Sequence, residues 1–310
     1  FFILQKENDN SIIITLLVSL SIIFFTGLKD DLKNISPKIK MIGQLIAVSL
    51  LMIHSEFYIF SLHGFLWIYE LSPFIGIPFS IFLLIAIINA YNLIDGIDGL
   101  ASVIGIVVAF CFGLLFYNLE LYFYVNICIA LISMLLAFLR YNFSEKKKIF
   151  MGDTGSLIIG FFLGLLALRL LSLDFETTSM ISIPRNFIPL IILSILIVPT
   201  FDVSRVIFIR ILKKVAITSP DRNHIHHLMI DAGFSHKKAS LVIGLVNFLV
   251  VCLIYFSFKL VGLNFSIILL FSLFSLFIII FFIINKGYSA KKLKLKIKKK
   301  TFKFLNFFLY

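Results

Sequence analysis

The chain has 310 residues, of which 60% are hydrophobic and only 14% charged, and a formal net charge of +12. A soluble globular fold of this length needs more polar surface, so the composition excludes one and leaves an integral membrane protein. The basic residues lie between apolar runs, which points to membrane topology and anionic lipid and not to nucleic acid.

A helix crossing the hydrocarbon core needs about 20 mostly apolar residues. Nine stretches qualify, at 11–28, 41–60, 74–91, 100–118, 121–139, 156–173, 187–204, 239–258 and 264–284. The expected fold is therefore all-α, a polytopic transmembrane bundle of about nine spans in one domain covering 1–310. The longest polar stretch is the loop at 205–238, and a basic tail occupies 286–310. Cys111, Cys128 and Cys252 lie inside apolar runs and read as packing residues. Phe1 to Leu4 read as the tail of a longer apolar run. When the loops are assigned alternately to two sides, 24 of the 28 lysines and arginines fall on one side. The positive-inside rule makes that side cytoplasmic. The paired and motif-like acids share it, and ionisable groups at that depth are costly and usually functional.

Four segments carry the chemistry. Lys29-Asp30-Asp31 ends the first stretch. Adjacent carboxylates repel and persist best around a cation or a shared proton, so the pair is either a Mg²⁺ or general-base site or a solvated loop start. The run from Asn89 to Leu100 places Asn89, Asn92, Asp95 and Asp98 three residues apart. On one continuous helix they would form a polar stripe at the membrane boundary. Phe150-Met151-Gly152-Asp153-Thr154-Gly155-Ser156 precedes an apolar stretch. Asp153 or Thr154 would cap the helix there, or its glycine-rich N-terminus would receive phosphate while Asp153 holds a Mg²⁺. The longest loop contains Asp221-Arg222-Asn223-His224-Ile225-His226-His227. Its chemistry suits a phosphate or sugar better than zinc, because no cysteine completes a zinc set. Asp202 and Arg205, i and i+3 on a span end, read as an ion pair. His54, His63 and His236 stand alone in the sequence and suggest no role.

In combination and in order, these segments resemble the polyprenyl-phosphate N-acetylhexosamine-1-phosphate transferases. The stretch from Pro199 to Phe234 is most similar to the branch that uses UDP-GlcNAc; the branch using phospho-MurNAc-pentapeptide tends to carry three contiguous histidines, which this chain lacks. The resemblance implies transfer of GlcNAc-1-phosphate from UDP-GlcNAc to undecaprenyl phosphate at the cytoplasmic face of the inner (plasma) membrane, with Mg²⁺, or Mn²⁺ in its place, as cofactor. It implies Asp153 as metal ligand and Asp30, Asp31, Asp95 and Asp98 as catalytic carboxylates. It further implies Asn89, Asn92, Asn142, Phe150, Arg222, His224, His226 and His227 as substrate-binding residues, with Phe150 stacked on uracil and Asn142 helping to bind uridine. The bilayer is a partner, nucleic acid is not, and a homodimer is left open. Two departures stand out. Asn34 occupies a position where relatives often carry a third acid, and a further span with a basic loop is expected before Phe1, giving about eleven spans in the full-length protein. A transporter would place its acids near the bilayer midplane and not at one surface. A CDP-alcohol phosphotransferase pattern fails where Asp98 runs straight into an apolar stretch.

Overall fold

The computed structural model describes residues 7–173, 184–212, 214, 224–280, 282 and 283. Arg222, which falls in the expected substrate loop, lies outside the described residues, as do Asp221 and the tail at 286–310. The elements are α1 (Glu7–Lys33), α2 (Pro37–Leu51), a hairpin of β1 (Ser61–Phe65) and β2 (Ile68–Glu70), then α3 (Pro73–Ile94), α4 (Leu100–Asn118), α5 (Tyr122–Asn142), α6 (Gly152–Leu171), α7 (Ile188–Ile195), α8 (Ile197–Leu212), α9 (Ile225–Asp231), α10 (His236–Val261) and α11 (Leu263–Ile280). The helix bundle is the one expected, with a small antiparallel hairpin added to it.

The described residues do not show all nine expected spans. Among the described residues, seven helices are long and apolar enough to cross a membrane, and a bent pair makes up to eight. Stretch 41–60 is where the count differs. Helix α2 stops at Leu51 after 15 residues, about 22 Å of rise against a hydrocarbon core of about 30 Å. The remaining apolar residues go into a 3₁₀ turn at Ser55–Phe57 and the approach to the hairpin. A hydrophobicity count cannot separate a helix from a turn and strand of the same composition.

Stretch 187–204 is broken, not continuous: α7 and α8 meet at 71° around Leu196. Pro199 has no N–H to return to the Ile195 carbonyl. Asn247, fully buried on α10, repairs the break from the side. Its amide donates to Ile195 O at 3.1 Å and its carbonyl accepts from Val198 N–H at 3.3 Å. Irregular backbone in a bundle survives when such a partner is present.

Helix α6 is the centre of the bundle: 72% of its membrane-length window is buried, against 11% for α11. Small residues let its neighbours close on it. A Cβ added at Gly160 would lie 3.0 Å from Ile88 Cα on α3, and one at Gly27 on α1 would lie 2.6 Å from Thr154 Cα. The last residue of α6, Leu171, accepts a contact from His63 of the hairpin at 3.2 Å, so the hairpin sits at one end of the bundle. The first residues of α6 stand at the other end, where the α1–α2 turn, the α3–α4 turn, the loop at 143–151 and α9 gather. Gly27→Ala is expected to push α1 off α6 and to cost about 1–3 kcal/mol; thermal unfolding in detergent, compared with Gly43→Ala where only the Thr26 side chain must yield, measures it.

Candidate functional site

The site starts from the orphan amides of α6. The first N–H groups of any helix lack intrahelical partners, and those of α6 face α1. Asp31 accepts from Asp153 N–H at 2.7 Å, from Thr154 N–H at 3.0 Å and from the Thr154 hydroxyl at 2.5 Å. The cap that the sequence suggested from Asp153 or Thr154 comes instead from another helix. Gly152, at φ +65°, gives the chain the left-handed residue that the entry to α6 requires, and a Cβ there would lie 2.9 Å from the Asp31 carboxylate.

Asp30 points the other way. It accepts from Ile35 N–H at 2.9 Å, which fixes the α1–α2 turn, and pairs with Lys40 Nζ at 3.0 Å. Lys40 Nζ also donates to Asp153 at 2.7 Å and to the Asn92 carbonyl at 3.2 Å. Asn92 in turn donates to Asp153 at 2.5 Å and to the Ser156 hydroxyl at 2.7 Å. Residues from α1, α3 and α6 thus converge on one ammonium group carried by α2. Lys40 was read from the sequence only as a topological charge; its spacing to no other motif marks it.

The stripe from Asn89 to Asp98 is half helical. Helix α3 ends at Ile94, and Asp95 to Gly99 form the turn into α4. The four side chains therefore do not share one stripe: Asn92 and Asp95 stand by Asp153, and Asn89 and Asp98 have other partners. Asn89 exchanges amide hydrogen bonds with Gln44 of α2 at 2.6 and 3.2 Å and serves helix packing. Asp98 pairs with Lys148 at 2.7 Å and His236 at 2.9 Å. Asn142 is buried, with its carbonyl on Gly99 N–H and its amide on Ile149 O, so it ties the α3–α4 turn to the loop at 143–151. The Asp95 side chain has no hydrogen-bond or ion-pair partner among the described residues, while its backbone N–H donates to Asn92 O at 3.3 Å. Burial, with Asp153 and Asp98 nearby, raises its pKa to about 6.

The histidine segment closes the site from α8. Asp202 is fully buried, paired with Arg205 at 3.3 Å as the sequence suggested, and it does more. Its carboxylate accepts from His224 Nδ1–H at 2.7 Å and from Ile225 N–H at 2.9 Å, so it caps α9 and fixes the His224 tautomer. His226, 1% exposed, stacks parallel to His224 with ring centroids 5.6 Å apart. A Cβ on Gly96 would lie 2.1 Å from His226 Nε2, so this glycine lets the imidazole reach the α3–α4 turn beside Asp95. Burial and His227 lower the pKa of His226 to about 4, and it stays neutral at neutral pH. His227 packs against His226 at 4.4 Å. Phe150 is 75% exposed with Lys148 over its ring at 5.2 Å, an aromatic face open to a planar ligand.

Among the described residues no three acid, histidine or cysteine side chains form a ready metal cage. Mg²⁺ does not need one: it usually takes one or two protein carboxylates and completes its shell with water and substrate phosphate. Asp30, Asp153 and Asn92 already aim three hard oxygens at one cation, the Lys40 ammonium, and Asp95 adds an unpaired carboxylate beside them. This donor set fits magnesium.

The raised acid gives a two-sided prediction. Asp95 titrates near 6 when folded and near 3.8 in the unfolded chain. The fold therefore opposes its ionisation, and the stability it allows is full below the unfolded value and lost as pH rises through about 6. Asp95→Asn should raise thermal stability above about pH 7, leave it unchanged below about pH 4, and lower activity. Melting curves at both pH values, beside an activity assay, check it.

Known proteins place this geometry. Residues 13–171 match the model of "Glycosyl transferase family 4". A protein of Bacillus subtilis (strain 168), described as a probable undecaprenyl-phosphate N-acetylglucosaminyl 1-phosphate transferase, is 35% identical over 262 residues, 84% of this chain and 68% of that protein. Undecaprenyl-phosphate alpha-N-acetylglucosaminyl 1-phosphate transferases are 32% identical over 235 residues in Escherichia coli (strain K12) and 34% over 229 in Yersinia pestis; each match covers 72% of this chain and 60% of the relative. The chain thus spans between 60% and 68% of the length of these relatives. On the family match and the identity together, it belongs to glycosyl transferase family 4.

Proposed function

We propose that the chain transfers GlcNAc-1-phosphate from UDP-GlcNAc to undecaprenyl phosphate, on the cytoplasmic face of the inner membrane, as the first membrane step towards a cell-surface polymer. A phosphate oxygen of the lipid attacks the sugar-linked phosphorus of UDP-GlcNAc. The bond from that phosphorus to the bridging oxygen breaks, and UMP leaves with that oxygen. The observation that supports this reading best is the convergence of Asp30, Lys40, Asn92 and Asp153 from four helix ends, beside the unpaired Asp95.

Each group has a role in this reading. Mg²⁺, held by Asp153 and next to Asp95, would offset charge on the diphosphate. Lys40 keeps Asp30 and Asp153 together before substrate enters and offers a positive charge to a phosphate afterwards. The oxygens of Asp31 are committed to the amides of α6, so within the Asp30–Asp31 pair Asp31 serves as scaffold. Asp95, near 6, is matched to accept the last proton of a phosphate monoester, whose own value is also about 6. His224, oriented by Asp202, and the neutral His226 face the sugar and diphosphate, together with His227, and Phe150 stacks on uracil; Arg222 is assigned to the same substrate from the sequence. Asp98 and Asn142 hold the α3–α4 turn in place. An apolar cavity of about 300 Å³ lies against the opposite face of α9, lined by Phe201, Leu228, Met229, Val246 and Phe277 among others. It suits the first isoprene units of the acceptor.

The relatives' names favour GlcNAc over other sugars, and transfer of phospho-MurNAc-pentapeptide or of another N-acetylhexosamine-1-phosphate from its UDP donor is the alternative. Membranes carrying the protein, supplied with UDP-GlcNAc, Mg²⁺ and undecaprenyl phosphate, should release UMP only when the lipid is present. Asp153→Asn should lower that rate by roughly 10³-fold or more while leaving the helical content unchanged. Release without lipid, or full activity in the variant, contradicts the proposal; faster turnover of another UDP-sugar corrects the substrate.

A further inference from the structure

The hairpin at the far end of the bundle shows an unexpected choice of residues. Phe65 pairs with Ile68, so Leu66 and Trp67 are the two central residues of the turn. Both have positive φ, +53° and +63°. A two-residue turn of this kind normally takes Asn-Gly, because bulky side chains are disfavoured there. Here two large apolar residues hold the strained positions and gain no burial: Leu66 is 47% and Trp67 83% exposed. The neighbouring Tyr69 and Phe74 are 65% and 93% exposed.

The hairpin meets the protein through β1, where Ser61 to Gly64 are half-buried and Phe65 is buried, while β2 is exposed. Ser61, His63, Glu70 and Arg185 line a cavity of about 360 Å³ beneath it, and Phe65 is buried in the core. Its height is set by α6, whose last residue contacts His63 and whose first residues form the candidate site. Twenty residues of helix separate the two, about 30 Å, the thickness of the hydrocarbon core. The base of the hairpin at His63 is therefore near the membrane boundary opposite the site, and Leu66 and Trp67 lie within a few residues of it. Tryptophan and tyrosine concentrate at that boundary because each has an apolar body and a polar atom. A second copy of the chain is a poorer occupant: a stable dimer buries roughly 800 Å² per partner, more than the tip of one turn offers.

We infer that the β1–β2 tip is a membrane-interface anchor, with Leu66 and Trp67 inserted among the lipid headgroups and upper acyl chains of the leaflet opposite the candidate site. The strained turn aims two side chains outward, and the bilayer covers them.

The chain has one tryptophan, so its emission reports Trp67 alone. The full chain is placed in phospholipid vesicles, which add no tryptophan of their own, with acyl chains unlabelled, brominated near the headgroup, or brominated near the terminal methyl, and with iodide supplied on both sides where it is used. Emission should lose most of its intensity with the shallow bromines, lose less with the deep ones, and resist iodide in the water. Emission quenched by iodide and untouched by bromine overturns the anchor, because Trp67 then stands in water. Emission that neither quencher reaches also overturns it, because protein then covers the tip. Leu66→Asn relieves strain at the first turn position but removes half of the inserted surface, so shallow-bromine quenching should fall; unchanged quenching removes Leu66 from the anchor.

Discussion

One carboxylate organises this molecule. Asp31, at the end of α1, caps the N-terminus of α6, the most buried of the candidate spans. The first amides of a helix have no intrahelical partner. Meeting that need from a second helix fixes the relative height of α1 and α6. It also turns the adjacent Asp30 towards Lys40, and so towards Asp153 and Asn92. A backbone requirement thereby becomes a charged cluster, and the close approach at Gly27 permits it.

The second half of the site rests on a similar exchange. The Pro199 region breaks the backbone between α7 and α8, and Asn247 satisfies the freed groups. The bend aims α8 so that Asp202 can cap α9 and orient His224 in the same act. Capping side chains drawn from distant elements recur at both ends of the site. They make local backbone chemistry and site geometry a single problem, which explains why the polar residues cluster so tightly at one end of the bundle.

Much of this was legible in the sequence. Apolar length located most of the spans, and the step of three from Asn89 to Asp98 flagged the α3 end. It misled on particulars for physical reasons. Composition cannot tell that residues 41–60 leave the helix at Leu51, or that Asp95 and Asp98 lie past the end of α3. Lys40 was hidden because a lysine near a span end is ordinary as a topological signal. His236 was hidden because its partner, Asp98, is 138 residues away. Asp202 was visible as a partner of Arg205 through local spacing, whereas its bond to His224 depends on a fold that no local pattern encodes. Motifs carried by one element were readable; contacts between elements were not.

The central claim, that Asp31 caps α6 in trans, can be measured directly by amide hydrogen exchange. The amides of Asp153 and Thr154 precede the hydrogen-bonded body of α6, so their protection comes from Asp31. In the unmodified protein both should exchange slowly, and in Asp31→Ala both should exchange fast while the amides from Leu157 onward stay protected. Fast exchange at Asp153 and Thr154 before any substitution, or slow exchange that persists in Asp31→Ala, would contradict the account.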